Sequence, residues 1–458
     1  MLKDPVPHLL SCATELLEEQ FAALPAFESA DESAADPSAM ERVLEGVARR
    51  LGDNYPYFHP LYAGQMMRPP HPVARAAYAL AMTVNPNNHA RDGGRASSEM
   101  EIEAVREIAG VFGWSEFLGH LTSGGTLANL EALWVAGQLA PGKRIVGSAQ
   151  AHYTHSRISG VLKLNYTSIP ADGHGRMSLE ALENELRKGD VGTVVVTLGS
   201  TAMGAVDPLD GVLALRQRYG FRMHIDAAYG GYFRLIPEAL DAPARRAYLA
   251  AGEADSIAID PHKHGLQPFG CGCILFRDPA VGRFYKHDSP YTYFTSKELH
   301  LGEISLECSR AGAAAVALWA TEQLLPLKPG GEFARGLKRG RAAALELDRR
   351  LRQDHSGYFQ PLVAGAPDLD IVVWKLHAET PEEASKLARR VFDACAARDL
   401  HLALAKLPDA WFEPRKAAAN GDEVVTCLRS VLMKPEHEAW LGRIWERLTA
   451  ACAEVMGR

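Results

Sequence analysis

Two short apolar runs, residues 221–225 and 256–259, each end on an aspartate, Asp226 and Asp260, and this pairing restricts the chain more than any other feature. Runs of four or five apolar residues bounded by polar ones read as buried strands. Similar runs at 144–148 and 193–199 alternate with helical periodicity, as at 207–219. That alternation predicts an α/β fold whose mostly parallel sheet is covered by helices on both faces. Ligands gather at the carboxyl ends of such strands, so Asp226 and the residues after Asp260 are candidates for a site.

Lys263 lies there, within Pro261-His262-Lys263-His264-Gly265. An amine beside apolar walls loses its proton more easily, which suits Schiff-base chemistry. An aspartate on the neighbouring strand end can face a cationic ring nitrogen, and the two together suggest pyridoxal phosphate. Taken singly, either residue reads first as a surface ion pair or a satisfied strand-end charge.

Thr122-Ser123-Gly124-Gly125-Thr126 precedes a helical stretch. Flexible backbone before a helix start offers free N–H groups to a phosphate. The alternative is an ordinary helix cap. Gly137 to Lys143 has the glycine and lysine spacing of a nucleotide loop, but Arg144 follows where Ser or Thr is required and the order is helix then strand, so it reads as a helix stop. Ser200 and Thr201 follow the 193–199 strand, where a hydroxyl can bond a ligand oxygen or cap a turn. No GxGxxG follows the first strand, which argues against a nicotinamide dehydrogenase.

The residues 224–229, His-Ile-Asp-Ala-Ala-Tyr, and 260–263, Asp-Pro-His-Lys, resemble the group II pyridoxal-phosphate-dependent amino acid decarboxylases, the family of the aromatic amino acid, tyrosine and glutamate decarboxylases. Supporting matches run from about residue 59 to about 434: His59-Pro60-Leu61-Tyr62-Ala63-Gly64, the Thr-Ser-Gly-Gly-Thr run with Ala128 and Asn129, Gln150-Ala151-His152, Gly199-Ser200-Thr201 and Leu428-Arg429. The resemblance implies the aspartate-aminotransferase-like type I fold, pyridoxal phosphate as cofactor, and a homodimer clasped by a helical N-terminal segment. It implies Lys263 as the cofactor lysine, Asp226 at the ring nitrogen, and His152 stacked on the ring. Ser123, Gly124, Gly125, Thr126, Ser200, Thr201, Ala228 and His262 complete the implied cofactor contacts. His59 and Tyr62 are implied at the side-chain pocket and Arg429 at the substrate carboxylate; Leu61 and Ala63 depart from the family's aromatic pattern. Asn88 joins the candidate substrate contacts from its own residues, since it stands in an irregular, Asn-rich stretch. The loop after residue 276 supplies the implied proton donor, Tyr291, with Tyr293 as the alternative two residues on. Relatives with Phe there make aldehydes with oxygen, so Tyr favours simple decarboxylation. His155 lies one helical turn beyond His152, with no role assigned.

The expected reaction is loss of the α-carboxylate of an L-amino acid as carbon dioxide. Tyr55, Tyr57, Phe58 and Tyr62 favour an aromatic substrate; Asn85, Asn87, Asn88 and His89 suit an acidic or polar one, so aspartate or glutamate is the second choice. An oxygen-using aldehyde synthase or lyase on the same scaffold, and a non-catalytic pyridoxal-binding protein, are the rival readings.

At 458 residues two or three domains are expected: a helical arm and pocket loop (1–75), a large cofactor domain (76–330) and a small C-terminal α+β domain (331–458) with strands at 371–376 and 424–433. A capped helix is expected over 98–112. The net charge of −7 argues against nucleic acid or an anionic membrane as partner. Seven scattered cysteines form no disulfide framework or zinc set, and the N-terminus has no basic segment followed by a long apolar one, so a cytoplasmic protein is expected.

Overall fold

The computed structural model describes residues 4–26, 36–286, 304–413 and 423–457. Seven strands form the larger sheet: β1 (Leu118–Thr122), β2 (Arg144–Ser148), β3 (Tyr166–Ile169), β4 (Val191–Thr197), β5 (Arg222–Asp226), β6 (Ser256–Ile259) and β7 (Gly272–Phe276). Their order is β1-β7-β6-β5-β4-β2-β3. The pairs β2/β3, β2/β4, β4/β5 and β5/β6 are parallel, while β7 runs against both β6 and β1. All strands but β7 therefore point the same way, and their carboxyl ends share one edge. Val194, Val195, Val196, Ile225, Ile257 and Ile259 are at most 1% exposed, as a sheet with both faces covered requires.

Four antiparallel strands form the second sheet, β8 (Phe359–Pro361), β9 (Ile371–Leu376), β10 (Ala403–Pro408) and β11 (Val424–Val431), in the order β10-β11-β9-β8. The two short outer strands escaped the sequence pattern, because β8 has three residues and contains a proline and β10 is only partly buried. Val425, Cys427, Val431 and Met433 join the core of the larger sheet, whereas Trp374 and Leu428 on the other face pack against the helices Pro381–Ala396 and His437–Met456. Cys271 and Cys273 are buried and unpaired, Cys273 on β7 and Cys271 just before it. Trp374→Ala is expected to cost about 3–5 kcal/mol, the range for emptying a buried aromatic site, read as a fall in the denaturant midpoint.

Two aspartates ahead of β9 tie the sheets together. Asp368 accepts from Arg176 and from the Val206 N–H, and Asp370 Oδ1 accepts from Tyr229 Oη at 2.5 Å. The segment around residue 63 crosses to the smaller sheet: Ala63 N–H donates to the His401 carbonyl and Val431 N–H to that of Ala63. The helix expected over 98–112 is Arg95–Val111; Gly94 occupies its N-cap with no side-chain bond, and Ser98 lies buried inside it. Thr380 caps Pro381–Ala396 by accepting from Glu383 N–H. Helix Pro37–Leu51 presents Val43, Leu44, Val47 and Leu51 to solvent, each at least 45% exposed.

Candidate active site

A cavity of about 440 Å³ opens at the carboxyl edge of the larger sheet. Five of the strands each deliver one part: Ser123 to Thr126 after β1, His152 after β2, Thr201 after β4, Asp226 at the end of β5, Lys263 after β6. Chain direction explains the gathering, since five separate crossovers return to the same edge.

Helix Gly125–Leu139 begins at the cavity with no side-chain cap. The first N–H groups of a helix have no partner within it, and with the helix dipole they favour an anion. Gly125 lies hard against β6: a Cβ there would meet Asp260 Oδ2 at 2.7 Å. At the rim, Ser123 N–H donates to Glu307 Oε2 at 3.0 Å.

Lys263 Nζ pairs with Asp260 Oδ2 at 3.0 Å, one turn back along the chain. Asp260 is almost fully buried, and its second oxygen, Oδ1, has no hydrogen-bond partner among the described residues. The apolar wall expected beside the lysine is thus partly a carboxylate. His262 Nε2 lies 3.5 Å from the same Asp260 oxygen, and its ring packs on Phe269 at 4.9 Å. Burial holds the His262 imidazole below its ordinary range.

Asp226 is 5% exposed and bonded at both oxygens, Oδ1 accepting from Ala228 N–H at 3.1 Å and Oδ2 from His155 Nε2–H at 2.8 Å. Burial alone would raise its pKa, but the hydrogen bond and charge of His155, with Lys263 and the Ala228 N–H, hold the carboxyl well below the usual carboxylate range. His152 lines the cavity with Nδ1 2.9 Å from Thr154 Oγ1, and burial keeps its imidazole below its ordinary value. Behind Asp226, His224 is held by Asn129 Oδ1 at 2.7 Å and Ser256 Oγ at 2.9 Å, and burial lowers its pKa to about 3.

Of the residues singled out in the sequence, Ser123, Gly124, Gly125, Thr126, His152, Thr201, Asp226, Ala228, His262 and Lys263 line this one cavity. Ser200 does not; it is buried, with Oγ accepting from Ala205 N–H, the turn-capping role. Asn88 is instead consumed inside the protein, donating to Glu101 Oε2 at 2.6 Å and to the Ser97 carbonyl. His59 and Tyr62 belong to the smaller sheet's surroundings: His59 Nδ1 accepts from Leu61 N–H and its ring meets Trp440 at 4.8 Å, while Tyr62 packs edge-on to Tyr57. Arg429 is also buried away from the cavity lining, and no acid among the described residues forms a salt bridge with it. Its guanidinium donates to the carbonyls of Thr201 (2.7 Å), Ala202 (3.1 Å) and Gly64 and to Gln65 Oε1. Oxygens of the chain take the place of the expected anion, and Arg429 reaches the cavity only through Thr201. Tyr291 and Tyr293 lie outside the described residues. Asp260, Thr197 and Tyr229 also line the cavity; the spacing of Asp260 to Lys263 on a turn was the signal for the first.

Pyridoxal phosphate suits this donor set. An uncapped helix start would suit its phosphate, a buried ionised carboxylate its ring nitrogen, and an amine its aldehyde. Buried polar atoms without partners among the described residues, Thr197 Oγ1 and His262 Nδ1, belong to residues of the same cavity.

The chain matches the family model described as the pyridoxal-dependent decarboxylase conserved domain over residues 28–359. It is 28% identical over 413 residues to an L-tyrosine decarboxylase of Enterococcus faecium, an alignment covering 67% of each chain, and 28% identical to one of Levilactobacillus brevis, covering 64% of this chain and 63% of the relative. The chain thus spans about two thirds of the length of these two relatives. A Methanoculleus marisnigri protein named "Probable L-tyrosine/L-aspartate decarboxylase" is 29% identical over 311 residues, covering 68% of this chain and 80% of the relative. Among solved structures, Oryza sativa TDC with PLP and tryptamine superposes with a TM-score of 0.77 at 18% identity, covering 100% of this chain and 99% of that one. Mouse CSAD gives 0.76 at 20% identity, covering 95% and 91%. These likenesses give the type I fold, and the family match over most of the chain gives the lineage: this chain belongs to the pyridoxal-dependent decarboxylases, carboxy-lyases that work with pyridoxal phosphate.

Proposed function

We propose that this protein removes the α-carboxylate of an aromatic L-amino acid, tyrosine or a close analogue, as carbon dioxide, leaving the amine. The observation that carries the choice of side chain is the charge inventory of the cavity. Among the described residues that line it, Lys263 is the only lysine, it is paired with Asp260, and there is no arginine. An acidic side chain would enter beside Asp226 and Asp260 with no free cation to meet it, a costly burial. An aromatic ring needs none, and Leu127, Leu130 and Tyr229 offer it apolar contact. The names of the two bacterial relatives support the same class.

Gly124, Gly125, Thr126 and Ser123 would hold the cofactor's phosphate, His152 its ring face, Asp226 its ring nitrogen, and Lys263 its aldehyde carbon. When bound, pyridoxal phosphate supplies an electron sink for the pair left on the α-carbon as the carboxylate departs. Asp226, kept ionised, would favour a proton on the ring nitrogen. His152, uncharged by burial, bounds the substrate from one side and restricts how its α-carbon can turn. Lys263 Nζ carries protons beside Asp260 Oδ2. Tyr291 is proposed as the acid that protonates the α-carbon.

We further propose a cytoplasmic homodimer. The apolar row Val43, Leu44, Val47 and Leu51 on an exposed helix suits burial against a second copy, and all the cysteines are free thiols. No helix among the described residues is long and apolar enough to cross a membrane. The test of substrate class is kcat/KM for L-tyrosine, L-aspartate and L-glutamate under one condition. Tyrosine is expected to exceed both acids by at least about a hundredfold, since an unpaired buried charge costs several kcal/mol; a preference for either acid would overturn the aromatic assignment.

A further inference from the structure

We propose that His155 is a positioning residue that acts through Asp226, fixing the charge and orientation of the carboxylate that faces the cofactor's ring nitrogen. The inference rests on the reading of the cavity as the cofactor site.

His155 belongs to helix Thr154–Val161 and is fully buried. Its Nε2 lies 2.8 Å from Asp226 Oδ2, and its Nδ1 has no hydrogen-bond partner among the described residues. A buried imidazole with a single partner puts its proton where the acceptor is. A proton therefore sits on Nε2, aimed at Asp226. The titratable groups around it are Asp226 and His224 from β5 and His152 from the loop before its own helix; the His224 ring centre is 6.4 Å away. His224 is itself pinned between Asn129 and Ser256, so it leaves the Asp226 bond to His155 alone.

The geometry divides the carboxylate's work. Oδ2 is held by His155 and Oδ1 by the Ala228 N–H, so Asp226 lines the cavity with the plane of its carboxylate fixed. Without His155, Asp226 would keep one backbone donor in a setting where burial favours its protonation. A protonated Asp226 cannot keep a proton on the ring nitrogen.

The test is ¹⁵N NMR at neutral pH of the wild type, His155→Phe and His155→Gln, each reconstituted with pyridoxal phosphate labelled at the ring nitrogen, together with cofactor affinity and melting temperature. The wild type is expected to show a protonated ring nitrogen. His155→Phe, with no donor, should move the shift towards the unprotonated value and weaken cofactor binding by about tenfold, the scale of one charge-assisted hydrogen bond. His155→Gln keeps a neutral donor and should fall between. A residue that merely fills space would lower the melting temperature and leave the nitrogen shift unchanged, and that result would overturn the inference. If His155→Phe fails to fold, His155→Leu, equally without a donor, replaces it, and wild-type shift and affinity there overturn the inference. A wild type that retains no cofactor would refute the reading of the cavity itself, and this inference with it.

Discussion

Lys263→Ala is expected to lower turnover by about a thousandfold or more, the scale for losing a group that both anchors a reactant and moves its proton. The lysine is the cavity's only amine among the described residues, and the cavity offers no second one to substitute for it. Alanine also leaves Asp260, which is 2% exposed and has one oxygen without a partner among the described residues, with only His262 near its other oxygen. Some loss of stability should accompany the loss of activity. Lys263→Arg separates the two effects, because arginine keeps a cation beside Asp260 and does not serve as an amine nucleophile. The arginine variant should melt near the wild type and be as inactive as the alanine variant. Single-turnover kinetics with calorimetric melting reads both. An alanine variant that turns over at a tenth of the wild-type rate would remove Lys263 from the chemistry.

Asp226→Asn ranks second, at about a hundredfold in kcat with weakened cofactor binding, the typical result of removing one well-placed electrostatic partner. Asparagine nearly matches the shape but carries no charge, and its oxygen can accept from His155 or from Ala228, not both without turning its amide onto a donor. Stability should change with pH in a definite sense. The folded pKa of Asp226 is depressed, so its contribution is present above the unfolded value near about 4 and is lost as pH falls through the lower folded value. The asparagine variant should lack that contribution at neutral pH and lose less on acidification. Denaturant melts between neutral and acid pH measure it.

The parts of the fold written in continuous apolar runs were legible in the sequence. β2 and β6 fall on the expected residues and β5 within one of them, because central parallel strands are buried on both faces and leave no polar alternation. β8 and β10 were not, since a proline and partial exposure blurred their pattern. At the site, Asp226 at a strand end and Lys263 just beyond one were readable from chain order, and the Ser123 to Thr126 turn from its glycines ahead of a helix. Contacts made across the fold were not. Arg429 shares a face with Val425 and Cys427 as its spacing indicates, yet the carbonyls that satisfy it come from residues 64, 201 and 202. Nothing in a linear pattern announces a carbonyl. Asn88 was read as a pocket residue because it stands in an irregular stretch, but its partner Glu101 is thirteen positions on, inside a helix. His155 carried a faint signal, one helical turn after His152, and gained meaning only when β5 brought Asp226 to its Nε2.

The most direct test of the account is incubation of the purified protein with L-tyrosine labelled with ¹³C at the carboxyl carbon, with and without added pyridoxal phosphate, following labelled carbon dioxide and tyramine together by mass spectrometry. The account predicts both products in equal amounts and dependent on the cofactor. Carbon dioxide accompanied by the aldehyde in place of tyramine would contradict simple decarboxylation, and no labelled carbon dioxide from tyrosine or any other aromatic amino acid would contradict the proposed activity.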